Sequence, residues 1–467
     1  MFIHFLSKLL ASTVCFLIII HSLYRYSNTD MFKVANNDVT VSRSEIGINR
    51  STTVIGHCSV SFRSATMTAD KIVKLDQLLN GYIGDSKSII DTKISRLIGP
   101  GENYGSLLLK VDITLENKKD NSREELHTVA KLIPEDESLQ KKFNIQVTCK
   151  MEISFYDTIV PTLQRFQREK GVQQVMDLFP KMYGARINLN GSDTVDQDAV
   201  LLLENLIETG YKNVDRFESF DLPTVKVVLK DLAVFHAVPL ALKLLEPETF
   251  QSKIRRYLVD YHPPPHDPDG KKFAHSYEIV FNILEEDEEC RSLVPLLREK
   301  RKLRLDIHQN EPWATMGHGD FWINNTMVKF EEGRSIANKM VDFQFPRYVS
   351  PAIDLFFLLW SSVKLNVLDE HFDNLVRFYH ENFIKQLEEL HCDTSPFTLE
   401  RFLEELRLVA DTEMMHILFF TIFIIFAKKK ESGHNKMPHE LEPEDVSEIG
   451  KERIIHFIKV CKRKGWL

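Results

Sequence analysis

From about residue 67 onward apolar positions recur with a period that changes along the chain, and each change marks an element. KIVKLDQLLNGYI (71–83) has the three-and-four spacing of an amphipathic helix. ISRLIGPGENYGSLLLKVDITLE (94–116) reads as strand, glycine-rich turn, strand, and HTVAKLIP (127–134) as a further strand ended by Pro134. Residues 141–168 are helical in pattern, and DAVLLLENL (198–206) is an apolar strand that runs into a connector. VKVVLKDLAVFHAVPL (225–240) opens a mostly helical second half, interrupted by the proline-rich HPPPHDPDG loop (262–270) and by a strand pair around 326–343. No repeat of 20–50 residues is visible. MMHILFFTIFIIFA (414–427) invites a membrane reading, but it contains His416 and falls short of the ~18 apolar residues a span needs. It is expected to be a buried core helix.

The chain before residue 67 follows a different pattern. Residues 25–66 are rich in Asn, Ser, Thr and Arg without apolar periodicity, so they read as a disordered extension. Residues 1–24 carry the apolar run LLASTVCFLIII (9–20), which reaches ~20 residues only by including Lys8 and His21. Cleaved signal, signal anchor and mis-assigned leader all stand open. If it is an anchor, Arg25, Lys33 and Arg43 after it against Lys8 before it place the bulk of the chain in the cytoplasm.

Composition changes this picture little. At 467 residues there is room for two to three domains or lobes, and a 43% hydrophobic, 27% charged chain is ordinary for a globular protein. A net charge of -8 gives no electrostatic reason to expect nucleic acid as a partner. The six cysteines are scattered with no C-x-x-C pair, which argues against a disulfide framework or structural zinc and fits a reducing compartment.

The chemistry concentrates in GHGDFWINNTMVKF (317–330). Asp320, Asn324 and Asn325 lie among apolar residues, where a buried acid is costly without a partner. Asn325 follows Asp320 by five residues, and Asp342 in VDFQ lies seventeen further on. Between them runs strand, Glu332-Gly333-Arg334 turn, strand, so a hairpin about Gly333 brings Asn325 and Asp342 to one point beside Asp320. Hard oxygen ligands at one point suit Mg²⁺, which also takes phosphate oxygens. Asp-x4-Asn followed by a second Asp is the phosphoryl-transfer arrangement: Asp320 would take the substrate hydroxyl proton, and Asn325 and Asp342 would hold metal.

Phosphoryl transfer then requires further parts in a set order, and each has a candidate. The glycine-rich turn is GPGENYGS (99–106), with Gly101, Tyr104, Gly105 and Ser106; alone it would be an ordinary hairpin loop. Lys131, flanked by apolar residues, needs an anion that nucleotide phosphates would supply. Glu152 is the helix glutamate to hold that lysine, though alone it would read as a solvated side chain. Glu204, Asn205 and Leu206 form the connector whose backbone would pair with adenine. Downstream, Ser350 could cap the helix of SPAIDLFFLLW (350–360), or Asp354 could hold the catalytic loop by bonding His318, itself assigned to support. Phe372, Phe378, Tyr379, Phe383, Phe419 and Phe420 offer aromatic surface for an acceptor pocket with the 262–270 loop, although aromatic helix residues usually serve the core.

HGDFWINN, VDFQ with SPAIDL, GENYGS, Glu152 to Pro161, LLLENL with Gly210–Tyr211 and LAVFHA (232–237) together resemble the ecdysteroid kinase-like (CHK kinase-like) family, related to choline kinases and aminoglycoside phosphotransferases. The resemblance covers residues 67–467 and implies an α+β, two-lobed protein-kinase-like fold: a small β-rich N-lobe over 67–206 and a larger, mainly helical C-lobe over 207–467. It further implies ATP with Mg²⁺ and phosphorylation of a hydroxyl on a small molecule such as an ecdysteroid alcohol. Asp320 would be the base, Asn325 and Asp342 the metal ligands, and Lys131 the phosphate binder supported by Glu152. A catalytically silent carrier of a lipophilic ligand is the alternative. A protein kinase is disfavoured, because Gln344 stands where a DFG glycine would be and no A-P-E segment follows. Asn49, Asn190 and Asn324 head N-x-S/T acceptor triplets, and a glycan on Asn324 would obstruct the neighbouring metal ligand. The catalytic domain is therefore expected in the cytosol, with membrane contact only through the N-terminal apolar segment if it is retained.

Overall fold

The computed structural model of the chain describes residues 72–97, 106–258, 274–302, 310–421, 426–427 and 442–467. The first half builds a five-stranded antiparallel sheet in the order β1-β2-β3-β5-β4, from β1 (Lys87–Arg96), β2 (Leu107–Asn117), β3 (Arg123–Leu132), β4 (Met182–Arg186) and β5 (Val200–Glu204). Strict alternation explains β2: Leu109, Val111, Ile113 and Leu115 are fully buried on one face. That face packs under helix α1 (Leu75–Ile83) through Leu78, Leu79 and Ile83. On β3 the same alternation buries Ala130 and Leu132 beneath α1, so Lys131 points to the opposite face. β5 is buried at four successive positions, as expected of a strand covered on both faces.

The helical stretch predicted for 141–168 resolves into α2 (Glu137–Lys142), α3 (Ile145–Ser154), a π turn (Phe155–Ile159) and α4 (Val160–Glu169). Pro161 cannot donate back to Asp157, and the ladder widens just before it.

The second half is dominated by helices. After the short β6 (Tyr211–Lys212) come α5 (Leu222–Leu245), α6 (Pro247–Lys253), α7 (Ala274–Glu286) and α8 (Val294–Lys302). Then follow β7 (Thr315–Gly317), β8 (Thr326–Glu331), β9 (Arg334–Met340) and β10 (Arg347–Val349), which form a β10-β7 pair and a β6-β8-β9 sheet. The chain closes with α9 (Pro351–Ser362), α10 (Leu365–Glu389), α11 (Leu399–Phe420) and α12 (Glu448–Arg463). The 225–240 pattern underestimates α5, which Asp221 caps by accepting from the Thr224 amide at 3.0 Å. Every residue of α9 is buried, so this helix is the centre of the large core. The result is an α+β, two-lobed, protein-kinase-like architecture.

Met414 and 417–420 are buried on α11, in keeping with the core-helix expectation; 422–425 lie outside the described residues. Among the described residues no helix is long and apolar enough to cross a membrane. The leader and the extension before residue 67 also lie outside them.

Candidate active site

Lys131 on β3 and Glu152 on α3 meet across the smaller lobe, Nζ to Oε1 at 2.8 Å. The same ammonium donates to Asp342 Oδ1 at 2.6 Å, although 211 residues separate the two in sequence. Burial opposes the charge on Lys131, but the Asp342 and Glu152 carboxylates outweigh it and raise its pKa, so the lysine is held as a cation.

The β8–β9 hairpin places Asp342. Its turn is Glu332-Gly333, with φ of 49° and 77°, the left-handed pair that a two-residue hairpin demands. Thr326 pairs with Met340, and the Val341 amide donates to the Asn325 carbonyl at 3.0 Å. Asn325 therefore lies opposite Val341, with Asp342 the next residue along, at the end of the hairpin where their nearly equal distances from Gly333 put them. Asn325 Nδ2 donates to the Asp320 carbonyl at 2.8 Å and to its Oδ2 at 3.0 Å, which leaves the amide oxygen of Asn325 for another partner. Burial and the neighbouring Asp342 carboxylate push the Asp320 carboxyl well above its ordinary range.

The turn carrying Asp320 is held from below by Asp354 on α9. Oδ2 accepts from the His318 amide at 2.6 Å and Oδ1 from the Gly319 amide at 3.1 Å. The expected bond between Asp354 and His318 thus runs through the main chain. The His318 ring instead bonds the Val341 carbonyl at 3.0 Å through Nε2. Ser350 does cap α9, accepting from the Ala352 amide at 3.3 Å. Burial lowers the His318 pKa, so the ring is neutral and acts as a brace between the turn and the strand leading to Asp342. Phe343 completes the link, stacked on Phe155 at 3.6 Å between centroids and 4.6 Å from the His318 ring.

Gly319 has φ of 82°, and a Cβ there would sit 2.3 Å from the Phe345 carbonyl oxygen. Gly319→Ala is therefore expected to destabilise the protein by at least the ~1–3 kcal/mol of a forced left-handed residue. A lower urea midpoint at unchanged slope would show it; an unchanged midpoint would mean the turn is not held in this form.

The other expected residues divide. Gly101, Tyr104 and Gly105 lie outside the described residues, and Ser106 stands half-buried just before β2. The Glu204 amide donates to the Lys181 carbonyl at 2.8 Å and the Asn205 amide to the His127 carbonyl at 3.1 Å. Those two donors are thus engaged within the protein, while Leu206 is buried beside them. Most of the aromatic residues of α10 and α11 take the core role that helix aromatics usually serve. Phe372, Tyr379, Phe383, Phe419 and Phe420 are core residues, and only Phe378 is half-buried. Helical spacing does not distinguish a pocket wall from an interior face. The 262–270 loop lies outside the described residues. Sequence reasoning assigned no role to His236, which bonds Asp354; the LAVFHA motif was the one signal that contained it.

The donor set suits a divalent cation. Asn325 bonds Asp320, and burial first and the Asp342 charge second hold the Asp320 carboxyl high, a cost that a cation there would relieve. Among the described residues no group of three or more His, Cys, Asp or Glu side chains is placed to hold a metal. A fit through one or two carboxylates that leaves room for phosphate oxygens is that of Mg²⁺.

A β-sheet lobe bearing a Lys–Glu pair, set over a helical lobe bearing an Asp-x4-Asn turn and a hairpin Asp, defines the class of kinase-like phosphotransferases. Residues 100–392 match the ecdysteroid kinase-like family, and the chain belongs to it. No curated protein matches the chain. Among solved structures it is similar to the GDP complex of wild-type aminoglycoside 2′-phosphotransferase-IIIa, at 14% identity over 74% of this chain and 99% of that one, with a TM-score of 0.34. The GDP and kanamycin complex of APH(2″)-IIIa is similar at 14% identity over 73% and 96%, with a TM-score of 0.32. The fold assignment rests on the strand order and the lobes, not on these low scores.

Proposed function

We propose that the protein is an ATP- and Mg²⁺-dependent phosphotransferase acting on a hydroxyl of a small molecule, with a steroid alcohol of the ecdysteroid type as the leading acceptor. The observation that carries this reading is the convergence of Asp320, Asn325, Asp342 and the Lys131–Glu152 pair at one point between the lobes. Asp320 takes the acceptor's hydroxyl proton as its oxygen bonds the γ-phosphorus and the bond to ADP breaks; the proton is then lost to water. Lys131, held by Glu152, turns from Asp342 to the nucleotide phosphates. Asn325 and Asp342 would hold the metal ion, which neutralises phosphate charge. Asp354 and His318 keep the turn in place. The intact Lys131–Glu152 pair weighs against a silent carrier, because a protein that only binds a lipophilic ligand has no need of a buried, doubly paired lysine. The chain is expected to work in the cytosol, where the exposed Asn324 beside Asn325 carries no glycan.

The test is a screen of steroid and other alcohols for transfer of the γ-phosphate of radiolabelled ATP, with and without Mg²⁺. Metal-dependent label on an acceptor is the expected result. Nucleotide binding with no labelled acceptor across the library would favour the carrier.

A further inference from the structure

Two fully buried polar side chains, His236 on α5 and Tyr379 on α10, lie behind the turn that carries Asp320 without taking part in the chemistry proposed above. We propose that they are positioning residues: Tyr379 sets the tautomer of His236, and His236 fixes Asp354, which holds the 317–320 turn. The inference rests on reading Asp320 as the proton acceptor.

The contacts form one line. The Tyr379 hydroxyl lies 2.7 Å from His236 Nδ1, and His236 Nε2 lies 3.0 Å from Asp354 Oδ2. Asp354 in turn receives the His318 and Gly319 amides. The Thr315 hydroxyl donates to the His236 carbonyl at 3.0 Å, tying the start of β7 to the same helix. All of these side chains are essentially without solvent exposure, so no water can substitute for a lost partner.

The roles of the two ring nitrogens follow. Asp354 is a carboxylate that only accepts, so Nε2 must carry a proton. The phenol lies within hydrogen-bond distance of Nδ1, and by donating to that nitrogen it keeps the ring's shared proton on Nε2. Two backbone donors hold Asp354 along one edge; the imidazole supplies a third bond from the side of α5 and fixes the plane of the carboxylate. Without the phenol, the proton is free to move to Nδ1. A nitrogen lone pair would then face Asp354 and repel it. The carboxylate would tilt, and both amides it holds would follow, carrying Asp320 off the line to the acceptor oxygen. A displacement near 1 Å is enough to lower a rate ~10²-fold.

The experiment uses Tyr379→Phe, His236→Gln and the double variant in the full chain. Mg-ATP is the probe, and water is the acceptor in a slow hydrolysis assay. Tyr379→Phe is expected to lower the thermal midpoint modestly, since a buried nitrogen loses its partner, to leave Mg-ATP affinity close to wild type, to slow hydrolysis about tenfold, and to speed amide exchange in the 317–321 segment. In ¹⁵N-histidine spectra its one affected ring should lose the pure Nε2–H signature. A glutamine side chain keeps an N–H donor for Asp354, so His236→Gln should retain more activity than His236→Ala, and the double variant should be no worse than His236→Gln. Unchanged hydrolysis and unchanged exchange in Tyr379→Phe, or losses that simply add in the double variant, would overturn the relay. If the wild-type chain neither binds nor hydrolyses Mg-ATP, the phosphotransfer reading fails instead. Amide exchange and the histidine signature then decide the relay without it.

Discussion

Asp320→Asn is expected to lower kcat by about 10³-fold with a confirmed acceptor, within the range typical for removal of a general base. The change keeps an oxygen where Asn325 donates, so the Asn325–Asp320 contact and the shape of the turn survive. What disappears is the carboxylate that takes the acceptor's proton. Mg-ATP affinity should change little, since Asn325 and Asp342 remain. Stability supplies a second readout with a defined sign. The carboxyl's folded pKa lies above its unfolded value, so the folded protein loses stability as pH rises from the unfolded pKa towards the folded one. At neutral pH a neutral asparagine removes that penalty, and the variant without nucleotide should melt no lower than wild type. Near wild-type kcat would remove Asp320 from the role of base, and a large loss of Mg-ATP affinity would move it to the metal site.

Asp342→Ala should fail in a different way. It deletes one of the converging carboxylates and one of the two partners of Lys131 while leaving the Lys131–Glu152 contact in place. The magnesium dependence and the nucleotide affinity should weaken together, with kcat/KM down by at least ~10²-fold, the scale of a lost metal contact. Calorimetric titration with Mg-ATP separates the two variants: Asp320→Asn keeps the binding heat and Asp342→Ala loses it. Unchanged affinity in Asp342→Ala would show that the metal is held elsewhere. The neighbouring Phe343 should remain stacked on Phe155 in both, so a change in overall stability is not the expected cause of either loss.

Local patterns determined a good part of this protein. Alternation marked β2 and the buried face of β3, and with it the side from which Lys131 emerges. The nearly equal spacing of Asn325 and Asp342 about Gly333 was enough to bring them to the same end of the hairpin, although a one-residue register shift between Lys329 and Phe330, invisible in the sequence, sets the final pairing. The helices of the second half were visible in outline, and so was the burial of the apolar run that starts at Met414. Where patterns were short they gave no signal: β4 is five residues with a central glycine, and β7 and β10 are three residues each.

What no window of sequence contained is the convergence of polar groups from distant segments. Lys131 finds Asp342 across 211 residues, His236 finds Asp354 across 118, and Tyr379 reaches His236 across 143. Periodicity reports which face of an element is buried, whereas a buried polar group is satisfied by whatever donor the packing of other elements brings within about 3 Å. The grip of Asp354 shows the difference most clearly. Its place at the start of an apolar helix was legible, and so was the turn glycine two residues after Gly317. That Gly319 at φ 82° turns two successive amides onto one carboxylate was decided only when α9 packed against β7. The same holds for the aromatic residues of α10 and α11, whose spacing is compatible with a pocket or a core. Phe372, Tyr379, Phe383, Phe419 and Phe420 became core because the packing of the surrounding helices buries them, while Phe378 stays half-buried.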